Sequence, residues 1–157
     1  MNGSPATPTP GLTKLPGSNL RLMLDALPGC GLFRHLMVQG ADGVKFDAVK
    51  DGEVSCALVV SSVLAMVNLI DQPHATVATT LDKMIQAGWR RVERPVLGGT
   101  VTIWPPNQRG HMHIGFFIGE QTYISNDETK GMPVRHGPVL IDRRGPSAYY
   151  AHPALAN

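Results

Sequence analysis

Cysteine is scarce in this chain. Cys30 and Cys56 are the only two among 157 residues, which excludes the disulfide framework that holds many small secreted domains together. A single Cys30–Cys56 bridge stays open on sequence grounds. Long apolar runs are missing as well: the longest, from Cys56 to Ile70, is broken by Ser61, Ser62 and Asn68, and a membrane span needs about 20 apolar residues. Charged residues amount to 17%, and the net charge of +2 is spread without a basic cluster, so no nucleic-acid partner is expected. Neither Cys-x-x-Cys nor His-Glu-x-x-His occurs, so no metal or other cofactor is expected. Gly98-Gly99 is too short for a phosphate-binding loop, and no internal repeat is visible. The stretch Met1–Pro10 has no basic segment leading into an apolar one, so it does not read as a secretory signal.

What is present fits one ordinary domain with a real core. Pro5, Pro8, Pro10 and Pro16, set among Gly, Ser and Thr, predict a flexible Pro-rich tail over residues 1–17. From 18 to 157 a single domain follows. Ser18 can cap a helix with Leu20, Met23, Leu24 and Leu27 on one face, ended by Pro28-Gly29. Residues 31–38 predict a second short helix, and 40–52 a loop. The organising element is the run from Val54 to Ile70, apolar nearly all round and therefore a helix buried in the core. A fourth helix is expected over about 75–87, stopped by Gly88.

Beyond Gly88 the texture changes to short β-type runs. Strands are predicted at Arg90–Pro95, Thr100–Trp104, Met112–Ile118, Gln121–Ser125, Val139–Asp142 and Ala148–Ala151. Helices first and strands afterwards indicate an α+β fold, with the apolar helix packed on a small antiparallel sheet.

The chemistry-bearing residues lie on two of these elements. Cys56 opens the central helix, where unpaired N–H groups and the helix dipole favour thiolate over thiol. The predicted outcome is a nucleophile with a lowered pKa, although a cysteine on an apolar helix also reads as a small buried hydrophobe. In the strand 112–118, alternation puts His113, Gly115 and Phe117 on one face and Ile114, Phe116 and Ile118 on the other. Gly115 leaves space beside the histidine for a substrate or a sulfur. A hairpin with its tip near Gly119–Gln121 carries Ser125 or Asn126 back to His113. His111, two residues earlier, would share its face, so either histidine can be the base, or both could bind metal. His136 reads as a surface-loop residue, and Trp104 as core or cleft wall. Cys56, His113 and Asn126 then supply nucleophile, base and orienter, with His111, Gly115, Ser125 and Trp104 lining the substrate side.

Cys56 heading an apolar helix, Gly98-Gly-Thr-Val-Thr-Ile-Trp104, His113-Ile-Gly-Phe-Phe-Ile-Gly119 and Tyr123-Ile-Ser-Asn126 together resemble the NlpC and CHAP cysteine hydrolases, over about residues 54–126. The resemblance implies a papain-like domain that cleaves amide bonds of peptidoglycan or another peptide through a thioester. It also implies synthesis in the cytoplasm and action on the cell wall after export or lysis. Departures are Ser55-Cys-Ala-Leu around the nucleophile, where the family has a more polar lead, and Thr100 in place of an Asp. Two other classes remain open: an acyltransferase, transglutaminase-like, on the same fold, and a non-catalytic binding module.

Overall fold

The computed structural model describes residues 11–156. Of the expected tail, residues 1–10 lie outside the described residues. The first helix, α1 (Pro16–Ala26), begins inside the predicted tail, with Pro16 in its first turn and Gly17 buried. Proline is suited there because its missing N–H would have had no helical partner. Leu20, Leu24 and Leu27 are buried along one stripe. The chain then turns at Gly29, whose N–H donates to the Pro133 carbonyl at 2.8 Å.

The helix expected over 31–38 does not form. Only a single 3-10 turn, Gly31–Phe33, is present, followed by β1 (Met37–Gln39) paired antiparallel with β2 (Lys45–Asp47). The predicted loop 40–52 therefore contains a strand. Asp47 explains the change, because its Oδ1 accepts the N–H of Leu36 at 2.9 Å and of Val49 at 3.1 Å, while its Oδ2 accepts that of Asp51 at 2.8 Å. The Leu36 N–H, which a helix over 31–38 would have used, goes to this carboxylate, and the Val49 and Asp51 N–H groups tie the turn after β2 to it. These N–H groups, with His35 beside them, hold the Asp47 carboxyl far below its ordinary range.

The central helix, α2 (Cys56–Met66), is shorter than the apolar run, and all of Ala57–Leu64 is buried. It stops because Asn68 takes a left-handed conformation, φ +59°. Its N–H bonds the Ala65 carbonyl at 3.0 Å, and that of Leu69 bonds Leu64 at 2.9 Å, the paired closure that ends many helices. Inside α2, the buried Ser61 hydroxyl accepts the His74 N–H at 2.7 Å and donates to the His74 carbonyl at 3.0 Å. The third helix, α3 (Val77–Gln86), is capped by Thr76, whose side chain accepts the Thr79 N–H, and it ends at Gly88.

Six strands make the main sheet: β3 (Arg90–Val92), β4 (Thr100–Trp104), β5 (His113–Gly119), β6 (Thr122–Asp127), β7 (Met132–His136) and β8 (Ala148–Ala151). Their order is β3-β8-β4-β5-β6-β7, with every pairing antiparallel. The fold is thus α+β with two antiparallel sheets. The strand predicted at 139–142 is instead a turn with Arg143 at φ +67°, closed by the Arg143 N–H on the Leu140 carbonyl at 2.9 Å. The strand actually present nearby, β7, lies where a connecting loop was expected.

The two faces of the sheet carry different chemistry. Val101, Ile103, Ile114, Phe116 and Ile124 join α2 and the helical layer in one core. Trp104, Phe117 and Tyr123 form a second, smaller cluster on the other face, packed by Leu140 and Tyr149. Among the described residues no helix is long and apolar enough to cross a membrane.

Candidate active site

Strand pairing places a row of polar side chains on the second face. Trp104 sits opposite His113, Gly115 opposite Ser125, and Tyr123 opposite His136. His113 Nε2 lies 2.7 Å from Ser125 Oγ, and the same oxygen lies 2.7 Å from His136 Nε2. His136 Nδ1 is 2.6 Å from the Gly137 carbonyl.

The direction of this chain follows from its last member. A carbonyl can only accept, so His136 Nδ1 carries the proton and Nε2 is left as an acceptor. Ser125 therefore donates its hydroxyl proton to His136, and its oxygen accepts from His113 Nε2–H. His113 is consequently the Nε2–H tautomer, with the Nδ1 lone pair uncommitted; among the described residues it makes no hydrogen bond. That nitrogen is the one available to act as a base.

Aromatic packing holds the two rings. Trp104 is fully buried and donates its Nε1–H to the Pro138 carbonyl at 2.8 Å. Its ring centroid is 5.4 Å from that of His113 and 5.7 Å from that of His136, and Tyr123 stacks on His136 at 6.1 Å. Burial, repulsion from His136 once acid protonates it, and the charge of Arg144 hold the His113 pKa down to about 3. Burial also lowers that of His136, partly offset by its bond to Gly137. Both imidazoles are therefore neutral at physiological pH.

Cys56 occupies the first position of α2 and is a partly accessible free thiol, as is Cys30. No disulfide joins them. The residue before it, Ser55, is fully buried and donates its hydroxyl to the Phe33 carbonyl rather than capping the helix. Burial pushes the Cys56 thiol up, against the backbone N–H groups of Ile114, Ala57 and Cys56 itself and the Arg144 charge, all of which favour thiolate. The lowered pKa expected from a helix N-terminus is thus corrected: desolvation outweighs the local donors. α2 packs against β5, the strand that begins with His113. Among the described residues no hydrogen bond joins Cys56 and His113.

Three further expectations change. Asn126 does not orient His113. It alternates with Ser125 onto the opposite face, where its Nδ2 donates to the Gly52 carbonyl at 2.7 Å and its Oδ1 is buried without a partner among the described residues. It ties β6 to the turn four residues ahead of Cys56. Gly115 opens no space for substrate, since a Cβ there would meet the Ile124 carbonyl and Ser125 Cβ at 2.6 Å and the Trp104 ring at 3.3 Å. The glycine instead lets Ser125 and Trp104 close up beside the histidine. Trp104, fully buried, supports the rings and is not a substrate platform.

His111 lies outside β5, exposed, held by its backbone to Asn107 at 3.0 Å. It shares neither strand nor hydrogen bonds with His113. His136, expected in a surface loop, instead lies on β7 and joins the hydrogen-bonded row. The signal available was the alternation of Met132, Val134 and His136, masked by Pro133 at a strand edge. Among the described residues, no group of three or more His, Cys, Asp or Glu side chains is arranged to hold a metal. No protein-family model and no curated protein sequence matches the chain.

Proposed function

We propose that this chain is a papain-like cysteine hydrolase that cleaves amide bonds in peptidoglycan stem peptides or at the glycan–peptide junction. The observation that carries the reading is the one-way hydrogen-bond chain from the Gly137 carbonyl through His136 and Ser125 to His113. It ends on a base with a free nitrogen at the start of β5, the strand against which α2, headed by Cys56, is packed. The amide-bond chemistry follows from nucleophile and base; the peptidoglycan substrate rests on the resemblance of residues 54–126 to NlpC and CHAP enzymes.

In this mechanism the thiol and imidazole are both neutral at rest, because burial raises the one and lowers the other. Proton transfer to His113 Nδ1 then accompanies attack of sulfur on the carbonyl carbon. In this reading the backbone N–H of Cys56 holds the oxyanion. His113 returns the proton to the leaving amine, and water resolves the thioester. Imidazolium formation is stabilised through Ser125, whose oxygen accepts the Nε2 proton throughout.

Incubation with purified peptidoglycan, followed by mass analysis of the released fragments, tests this. Fragments bearing one new amine and one new carboxyl are expected with wild type and not with Cys56→Ala. Adding a primary amine separates hydrolysis from transfer, since a transferase would yield the amide adduct. The raised thiol pKa is the observation that favours a non-catalytic module, and intact peptidoglycan after exhaustive incubation would decide for it.

A further inference from the structure

Arg144 stands at the same end of the sheet and is not explained by the catalytic chain. Its side chain is 16% exposed. Nη1 donates to the carbonyls of Pro105 at 2.5 Å and His111 at 3.0 Å, and Nε donates to Asp142 Oδ2 at 2.7 Å. Pro105 directly follows β4, and His111 lies two residues ahead of β5, so the guanidinium is pinned where Trp104 and His113 pair.

A guanidinium has five N–H donors in a rigid plane. Three of Arg144's are accounted for by these bonds, and the two on Nη2 make none among the described residues. Nη2 is not among the buried polar atoms without a partner, so its two donors reach the surface, where a ligand can take them. Asp142 balances one charge but, being bonded to Nε, leaves the Nη2 edge unengaged. Its anchoring carbonyls, Pro105 and His111, flank the Trp104–His113 pair, which puts the guanidinium at the His113 end of β5, and its charge acts on both His113 and Cys56.

We infer that Arg144 is a specificity-determining residue that binds a carboxylate of the peptide substrate next to the scissile amide. This rests on the hydrolase reading above and adds the substrate feature to it. A carboxylate is the anion such peptides carry, and its oxygens accept charge-assisted hydrogen bonds from guanidinium N–H groups. The bonds to Pro105 and His111 hold the guanidinium in place beforehand, which limits the ordering cost on binding.

The test compares two tripeptides, L-Ala-γ-D-Glu-L-Lys with its free α-carboxylate and the same peptide with that carboxylate as a carboxamide. For wild type, kcat/KM should favour the carboxylate by about 10-fold or more. In Arg144→Gln the ratio should fall to near one, and in Arg144→Lys it should be intermediate. Each ratio is read within one protein, so a reduced folded fraction scales both rates alike. Arg21→Gln, an exposed arginine on α1, should leave the ratio unchanged. A wild-type ratio near one, or a ratio surviving in Arg144→Gln, overturns the assignment. If neither peptide is cleaved, calorimetric titration of wild type and Arg144→Gln with both peptides decides separately. Binding of the carboxylate peptide that depends on Arg144 would keep the site while the hydrolase reading fell. Equal or absent binding would remove both.

Discussion

The two faces of the six-stranded sheet were built by different rules. The face against α2 is a continuous apolar surface, with Val101, Ile103, Ile114, Phe116 and Ile124 all buried. The opposite face alternates aromatic side chains with hydrogen-bonding ones: Trp104, Tyr123, His113, Ser125 and His136. The first face is apolar where α2 covers it and carries polar groups toward its β7 edge, where Asn126 bonds Gly52 and Arg135 pairs with Asp25. On the second, the row His113–Ser125–His136 is bonded member to member in a direction set by the Gly137 carbonyl, while the buried Thr102 hydroxyl has no partner among the described residues. Stability is concentrated on the first and the proposed chemistry on the second, so substitutions on the two should fail in different ways.

The largest expected effect comes from the proposed catalytic pair, Cys56 at the head of α2 and His113 on the second face. Cys56→Ala and His113→Ala should each lower kcat/KM by about 10⁴-fold or more, and the double variant should be no worse than either, because one catalytic unit is being removed. Steady-state kinetics beside a thermal melt checks this. A double variant far worse than both singles would mean that the two residues act independently.

On the apolar face Phe116→Ala should cost about 3–5 kcal/mol of stability, through lost burial and the cavity left behind. Whatever fraction stays folded should keep its kcat. Ser125→Ala should do the reverse, lowering kcat by about 100-fold while costing about 1–3 kcal/mol in denaturant titration. Loss of activity in proportion to unfolded protein for both would erase the contrast between the faces.

A pH series sharpens the same comparison. Folded His113 takes its proton only near pH 3, while in the unfolded chain it does so near pH 6.5. Between those values the unfolded state binds more protons, so stability is complete above about pH 6.5 and falls as pH drops toward 3. The contribution at stake is on the order of a few kcal/mol. His113→Gln should flatten that part of the curve, and an unchanged slope would show that the imidazole is solvated.

The smallest effect concerns Asn126. Replacing it with Ala leaves the buried Gly52 carbonyl unpaired, at a cost of about 1–3 kcal/mol, and loosens the turn ahead of Cys56. Activity should fall by no more than about 10-fold, less than for Ser125→Ala. The opposite ranking would return the orienting role to Asn126.

Much of this could be read in the sequence because the physics involved is local. A helix apolar all round within Val54–Ile70 has nowhere to go but a core, and Gly88 ends its helix through a conformation glycine adopts readily. The alternation of His113-Ile-Gly-Phe-Phe put His113 and Phe117 on one face and Ile114 and Phe116 on the other. Where a carboxylate from elsewhere intervened, local reasoning failed: Asp47 took the Leu36 N–H that would have continued a helix past Phe33.

The choice between Ser125 and Asn126 shows what only the tertiary structure decided. A one-residue difference in register moves a side chain to the other face of the sheet, and nothing within 121–126 says which residue pairs with Gly115. The strand position of His136 was invisible for the same reason, since its strand is defined by pairing with Tyr123 rather than by its own composition. The thiol pKa depends on how much water the surrounding elements exclude from Cys56, against donors that the helix start supplies. Residue type and local periodicity determined the elements, the core and the nucleophile–base pair as candidates. Long-range pairing determined which hydroxyl reaches His113, and burial determined where its proton sits.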